Sequence, residues 1–251
     1  MEVGGRRRLF VLVCVGVWLT HVFPQMAVSS KNAALARTIV ETMCLFKLGL
    51  KSTEPQIVGM FKQAVERQHG PGTCPALQVL KATIATPDED EVAVNDQIEL
   101  TMMLKRPHAK PFTRAQVMML KMRKMEDAQI TEALSKFREQ WWIMLSCVRV
   151  DMPDGKVVDQ EQLVLAWPAV VGKIDQEDLK LGLKFKAPPG PGKYTFRLDV
   201  KASEFLGCDS TQQLVVNVVK EARVKEEATM EDDGDVVVVG SPKSSSAKKN
   251  E

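Results

Sequence analysis

From Ser29 to about His69 the apolar positions recur at spacings of three and four. Ala34, Ile39, Met43, Phe46 and Leu50 fall near one face, and after Pro55 the spacing returns in Ile57, Met60, Phe61 and Val65. That period predicts a pair of helices over 29–70. The run His69-Gly70-Pro71-Gly72 then breaks the pattern and marks a domain boundary.

After Pro75 the period changes to two. Ile98, Leu100, Met102 and Leu104 alternate with Glu99, Thr101 and Met103, and Leu179 to Phe185 alternate with Lys180, Gly182 and Lys184. Tyr194, Phe196, Leu198 and Val200 stand in the same way opposite Thr195, Arg197 and Asp199. Half-buried antiparallel strands follow from this alternation. Between the last two lies Ala187-Pro188-Pro189-Gly190-Pro191-Gly192, whose prolines cannot donate to a ladder, so it is a turn and the two strands form a hairpin.

Seven strands are predicted, near 77–85, 92–104, 141–151, 156–165, 178–187, 193–202 and 211–219. The class is α+β: a helical segment followed, over 74–220, by an all-β sandwich of immunoglobulin or fibronectin III-like type. Helical spacing interrupts the strands once. Met118, Met122, Met125, Ile130, Leu134 and Phe137 predict a long inserted helix over 113–140, bent near Asp127, with Thr113 and Gln116 as its capping box. From Glu221 to the end the periodicity fails and a disordered acidic tail, 221–251, is expected.

At the other end, Arg6-Arg7-Arg8 precedes the apolar run Leu9 to Phe23, so 1–28 reads as a signal-like or anchoring segment, with a core helix as the alternative. The formal net charge of +2 offers no general case for nucleic acid, so local patches decide. Five widely spaced cysteines without a Cys-x-x-Cys pair indicate reduced thiols rather than a zinc site or a disulfide framework. No histidine has a carboxylate or Cys at informative spacing, and no Gly-Lys pair has the Ser or Thr of a phosphate loop. The expectation is a protein without catalytic activity, cofactor, metal or small-molecule substrate.

Three features remain as candidates for binding. Trp141 and Trp142 begin a strand, where neighbours point to opposite faces, so one enters the core and the other needs separate cover from a helix or a partner. Between Lys105 and Lys124 stand Lys105, Arg106, Lys110, Arg114, Lys121, Arg123 and Lys124 with no acid, a run suited to RNA, acidic protein or anionic headgroups, or simply to solvent. Phe112 is its sole aromatic, so the stacking platform of a single-strand binder is missing and nucleic acid is disfavoured. The tail adds the acids Glu226, Glu227, Glu231, Asp232, Asp233 and Asp235, suited to a basic partner, and the β-prone run Val236 to Val239.

Trp141-Trp142, the hairpin Phe185 to Tyr194 and the element Ser203-Glu204-Phe205-Leu206-Gly207-Cys208-Asp209 together resemble the carboxy-terminal domain of the Sec sixty-three family. Thr83 to Thr86, Asp88-Glu89-Asp90, Asn95-Asp96 and Leu104-Lys105-Arg106 are similar to the first strands of that domain, so the resemblance spans about Cys74 to Val219. It implies helices packed on a fibronectin-like sandwich that contacts the protein-conducting channel of the endoplasmic reticulum from the cytosolic side. It also implies an acidic tail that meets a basic companion subunit. None of the three histidines is followed by Pro, so the Hsp70-stimulating triplet of a J-domain is absent from this sequence. The same domain resembles the tail module of spliceosomal RNA helicases, which implies the alternative of a nuclear protein-interaction module.

Overall fold

The computed structural model describes residues 29–50, 52–87, 91–150 and 160–221. The amino-terminal segment 1–28, the acidic tail from 222 onward and the triplet Asp88-Glu89-Asp90 lie outside these described residues.

Helix α1 (Ala33–Leu48) starts where the Asn32 side chain accepts the Leu35 N–H at 2.9 Å. It stops at Gly49, whose φ of 66° is the left-handed conformation that glycine adopts with least strain. Helix α2 (Pro55–His69) has Pro55 in its first turn, where a missing N–H costs nothing. The eight strands among the described residues are β1 (Gln78–Ala85), β2 (Val92–Ala93), β3 (Gln97–Lys105), β4 (Glu139–Arg149), β5 (Gln162–Val171), β6 (Asp178–Lys186), β7 (Gly192–Ala202) and β8 (Ser210–Val219). They form a three-stranded sheet in the order β1-β3-β6 and a five-stranded sheet in the order β2-β8-β7-β4-β5. All pairings are antiparallel except the short β2–β8 contact. Helices and a mostly-β, two-sheet core are therefore the architecture.

The inward alternate positions meet between the sheets. Ile98, Leu100, Met102 and Leu104 of β3 pack against Trp141, Ile143 and Leu145 of β4 and Phe196, Leu198 and Val200 of β7. The opposite face of β4 is also apolar and is covered by α1: Ala36, Ile39, Val40 and Met43 enclose Trp142, Met144 and Leu163 in a second cluster. Strand β4 is thus buried twice, which explains the apolar run from Trp141 to Leu145.

Several boundaries differ from the sequence reading. The expected helix over 113–140 is two helices, α3 (Ala109–Met122) and α4 (Asp127–Ser135), separated by a turn in which Lys124 takes a φ of 59°. Glu139 and Gln140 belong to β4, because the core needs the residues next to Trp141 extended. Thr113 lies inside α3 with its hydroxyl donating to the Ala109 carbonyl, so it caps nothing. The capping box is instead Glu126 with Gln129, at the start of α4. The expected strand 92–104 is broken into β2 and β3 by a turn with Asn95 at φ 63°. The strand placed at 156–165 runs instead from Gln162 to Val171, with 151–159 outside the described residues. Helix α2 buries no residue fully, and Met60, counted on its apolar face, is 70% exposed.

Candidate functional site

Arg106, assigned by the sequence to a basic surface run, is completely buried. It leaves β3 beside the first residue of β4, and its guanidinium meets Glu139 in a fork, Nε to Oε1 at 2.9 Å and Nη2 to Oε2 at 2.6 Å. Its Nη1 donates to the Gln176 carbonyl at 2.6 Å and the Lys173 carbonyl at 3.3 Å, closing the turn between β5 and β6. His108 Nε2 reaches Glu139 Oε2 at 3.0 Å, and Trp141 Nε1 donates to Glu139 Oε1 at 2.6 Å. Because the carboxylate can only accept, the His108 Nε2 carries a proton, and Nδ1 faces the Ala76 backbone at 3.0 Å. Burial pushes the Glu139 pKa up, but the bonds from His108 and Arg106 outweigh it and hold the carboxyl down at about 2. A buried pair with every lone pair engaged locks the ends of β3 and β4 together; it removes Arg106 from the basic surface.

A second charged knot seats α1 on the sheet. Arg37 Nε donates to Asp199 Oδ2 at 2.7 Å, Nη1 to Glu161 Oε2 at 2.9 Å and Nη2 to Ser146 Oγ at 2.9 Å. Arg197 and Thr211 complete Asp199, which is 2% exposed. The hydrogen bond from Arg37 holds Glu161 below the ordinary carboxylate range.

Trp141 and Trp142 are 1% and 2% exposed, so neither indole offers a face to a partner. Trp141 fills the space between the sheets and Trp142 lies under α1. The indole that does face out is Trp167, 52% exposed on the edge strand β5, with Val170 beyond it at 58%. The local signal for its exposure is Pro168, which cannot donate to a ladder and so confines β5 to an edge.

The remaining basic candidates, Lys105, Lys110, Arg114, Lys121, Arg123 and Lys124, are exposed. Lys110 pairs with Glu177 at 2.5 Å and Lys121 with Asp127 at 3.7 Å. Along α3, Arg114 and Lys121 flank Met118 and Met122, which are 64% and 67% exposed. Lys105 belongs to a different surface. It lies at an outward position of the three-stranded sheet, where Lys81, Met103 and Lys180 form one cross-strand row and Glu99 and Lys184 another, with Lys186 opposite Gln97. No described helix covers this face, and its lysines are exposed. The signal for Lys180, Lys184 and Lys186 was their period-two spacing; Lys81 joins them only through pairing. The acidic candidates Glu226, Glu227, Glu231, Asp232, Asp233 and Asp235 and the apolar run Leu9 to Phe23 lie outside the described residues. Among the described residues no helix is long and apolar enough to cross a membrane, and no group of three or more His, Cys, Asp and Glu is placed to share a metal ion.

No family model and no curated protein matches the sequence. Among solved structures, the CARDB domain of the PF1109 protein of Pyrococcus furiosus, in complex with di-metal ions, aligns at 15% identity and a TM-score of 0.31, over 58% of this chain and 90% of that one. The sporulation control protein Spo0M of Bacillus subtilis aligns at 11% and 0.31, over 57% of this chain and 49% of that one. A cycloisomaltooligosaccharide glucanotransferase of Paenibacillus aligns at 9% and 0.33, over 59% of this chain and 15% of that one. Likeness at this level bears on neither partner nor substrate.

Proposed function

We propose that the chain is a non-catalytic, protein-binding subunit of the endoplasmic-reticulum translocation machinery, related to the Sec sixty-three carboxy-terminal domain, that helps secretory precursors enter the channel. In this reading the two sheets are an immunoglobulin or fibronectin III-like sandwich into which α3 and α4 are inserted. The observation that carries a binding role is the bare outer face of the three-stranded sheet, where Lys81, Lys105, Lys180, Lys184 and Lys186 outnumber Glu99 and Asp178. A face of one sign steers and orients an acidic partner. The acids from Glu226 to Asp235 are assigned to a basic companion subunit, and Leu9 to Phe23 to membrane attachment, both from sequence.

The same basic face supports the second reading, a nuclear module related to the helicase tail domain, in which lysines approach phosphate or an acidic splicing factor. Affinity purification of the full chain, with Lys180→Glu/Lys184→Glu alongside, separates the two. Recovery of channel subunits that the double variant loses supports translocation; recovery of spliceosomal proteins transfers the assignment to the nucleus, and identical partner sets for both proteins remove the basic face from the argument.

A further inference from the structure

The chain leaves the last strand beside the basic sheet. Val219 ends β8, and its carbonyl accepts the Val94 N–H at 3.0 Å; two residues on, the Asp96 carbonyl accepts the Ala187 N–H at 2.8 Å. Lys186, next to Ala187 and opposite Gln97, is therefore the first lysine of that sheet along the departing chain. From there the exposed positions of β6 carry Lys184 and Lys180, with Lys81 in the same row as Lys180 and Lys105 at the far end, opposite Asp178. The face extends from Lys186 to Asp178, eight residues and about 26 Å of strand.

The sequence supplies a counterpart of matching length. Glu226, Glu227, Glu231, Asp232, Asp233 and Asp235 fall within ten residues that contain no base. Seven residues lead from Val219 to Glu226, a reach of up to about 25 Å, and the acidic stretch itself extends to about 30 Å. The first length is enough to reach Lys186 from the end of β8, and the second to follow the lysines as far as Lys105. The basic positions of α3 lie beyond the opposite end of β3, and Lys121 there already has Asp127 at 3.7 Å.

We infer that the acidic segment 226–235 is the intramolecular occupant of the lysine face of the three-stranded sheet, and that it competes there with acidic polypeptides. The inference rests on the reading of this face as a docking surface for an acidic partner. The tether holds the segment at a millimolar effective concentration, so a separate acidic chain must displace it. The occupancy also couples the two binding roles proposed above. A basic companion that takes the acids uncovers the lysines, and an acidic partner on the lysines releases the acids, so each raises the affinity for the other by the same factor.

A water-soluble carbodiimide, which joins carboxylates to amines in contact with them, tests the occupancy on the full chain. The expected result, in the monomer band of a dilute sample, is peptides that link acids of 226–235 to Lys186, Lys184, Lys180, Lys81 or Lys105, and their loss in about 0.5 M sodium chloride. Absence of such peptides, their confinement to the dimer band, or equal yields of links to Lys121, Lys124 and Lys136 overturns the assignment. Competition is read by the anisotropy of fluorescein-labelled decaglutamate, with the full chain and with a variant carrying Glu226→Gln, Glu227→Gln, Glu231→Gln, Asp232→Asn, Asp233→Asn and Asp235→Asn. The variant should bind about five-fold more tightly or better, and adding Lys180→Glu/Lys184→Glu should abolish the gain. Equal affinity of the two proteins overturns the occupancy and leaves the lysine face as a docking surface. A gain that survives the lysine exchanges comes from net charge and overturns the occupancy too, and binding by neither protein removes both the occupancy and the docking surface.

Discussion

Exchanging Glu139 for Gln leaves the shape of the buried clasp but takes away the charge that balances Arg106. Arg106 is completely buried and would keep its positive charge, since a guanidinium does not deprotonate in proteins. Removing one partner of such a pair costs about 3–5 kcal/mol. The lowered pKa of the carboxyl, which has the same contacts as its cause, points to the same order of magnitude. Its pKa falls from the ordinary 4.5 to about 2 in the folded chain, a difference worth roughly 3 kcal/mol. For a group whose folded value is lowered, the stabilisation is fully present above the ordinary value and is lost as pH falls toward 2. Glu139→Gln should therefore melt about 10 °C below wild type at pH 7, taking about 2–4 °C per kcal/mol for a chain of this size. The gap should close as acid protonates the wild-type carboxyl. Urea denaturation followed by circular dichroism at pH 7, 5 and 3 measures both effects. A variant within ~1 kcal/mol of wild type at neutral pH, or a gap that stays constant on acidification, would refute the view that this ion pair holds β3 to β4.

Arg37→Met should cost about 2–3 kcal/mol, because it leaves Asp199 buried with one cation fewer and frees α1 from β4; faster amide hydrogen exchange confined to Ala33–Leu48 and the face beneath it is the signature. Trp142→Ala should lower stability by about 3–5 kcal/mol through the cavity under α1, whereas Trp167→Ala on the open edge should stay within about 0.5 kcal/mol. If Trp167 proves as costly as Trp142, the edge of the sheet is covered. Gly207→Ala should destabilise by about 1–3 kcal/mol, since φ is 69° and the new Cβ meets Val58; a neutral result would mean that α2 does not rest on this turn.

The alternation of Ile98 to Leu104 and of Leu179 to Phe185 made the strands legible, because a side-chain period of two survives whatever the strand pairs with. The double burial of β4 was legible too, from apolar residues on both its faces and from the need to cover one indole with a helix. Element ends were not. Glu139 reads as the last polar turn of a helix until Arg106 and His108, more than thirty residues upstream, are brought to it. Arg106 likewise reads as one more member of a basic run, since sequence spacing says nothing about a carboxylate across the sheet. The sheet lysines illustrate the converse: Lys81 and Lys180 are a hundred residues apart and become neighbours of Met103 only by strand register.

Lysines on β1 and β6, the edges of the three-stranded sheet, invite a simpler account, in which charge at open edges prevents pairing with other chains. Edge protection, however, is served by either sign of charge, and a mixture of the two keeps a surface soluble without building a directed field. Two acids are instead drawn inside, Glu139 to Arg106 and Asp199 to Arg37. What remains on the bare sheet is Lys81, Lys105, Lys180, Lys184 and Lys186 against Glu99 and Asp178, and Glu99 lies folded over Gly182 in the middle of the face. Lysines that only kept other copies off the open edges would be needed on β1 and β6 alone; Lys105 stands on the central strand β3, where it guards no edge and adds to a field that would orient an acidic polypeptide.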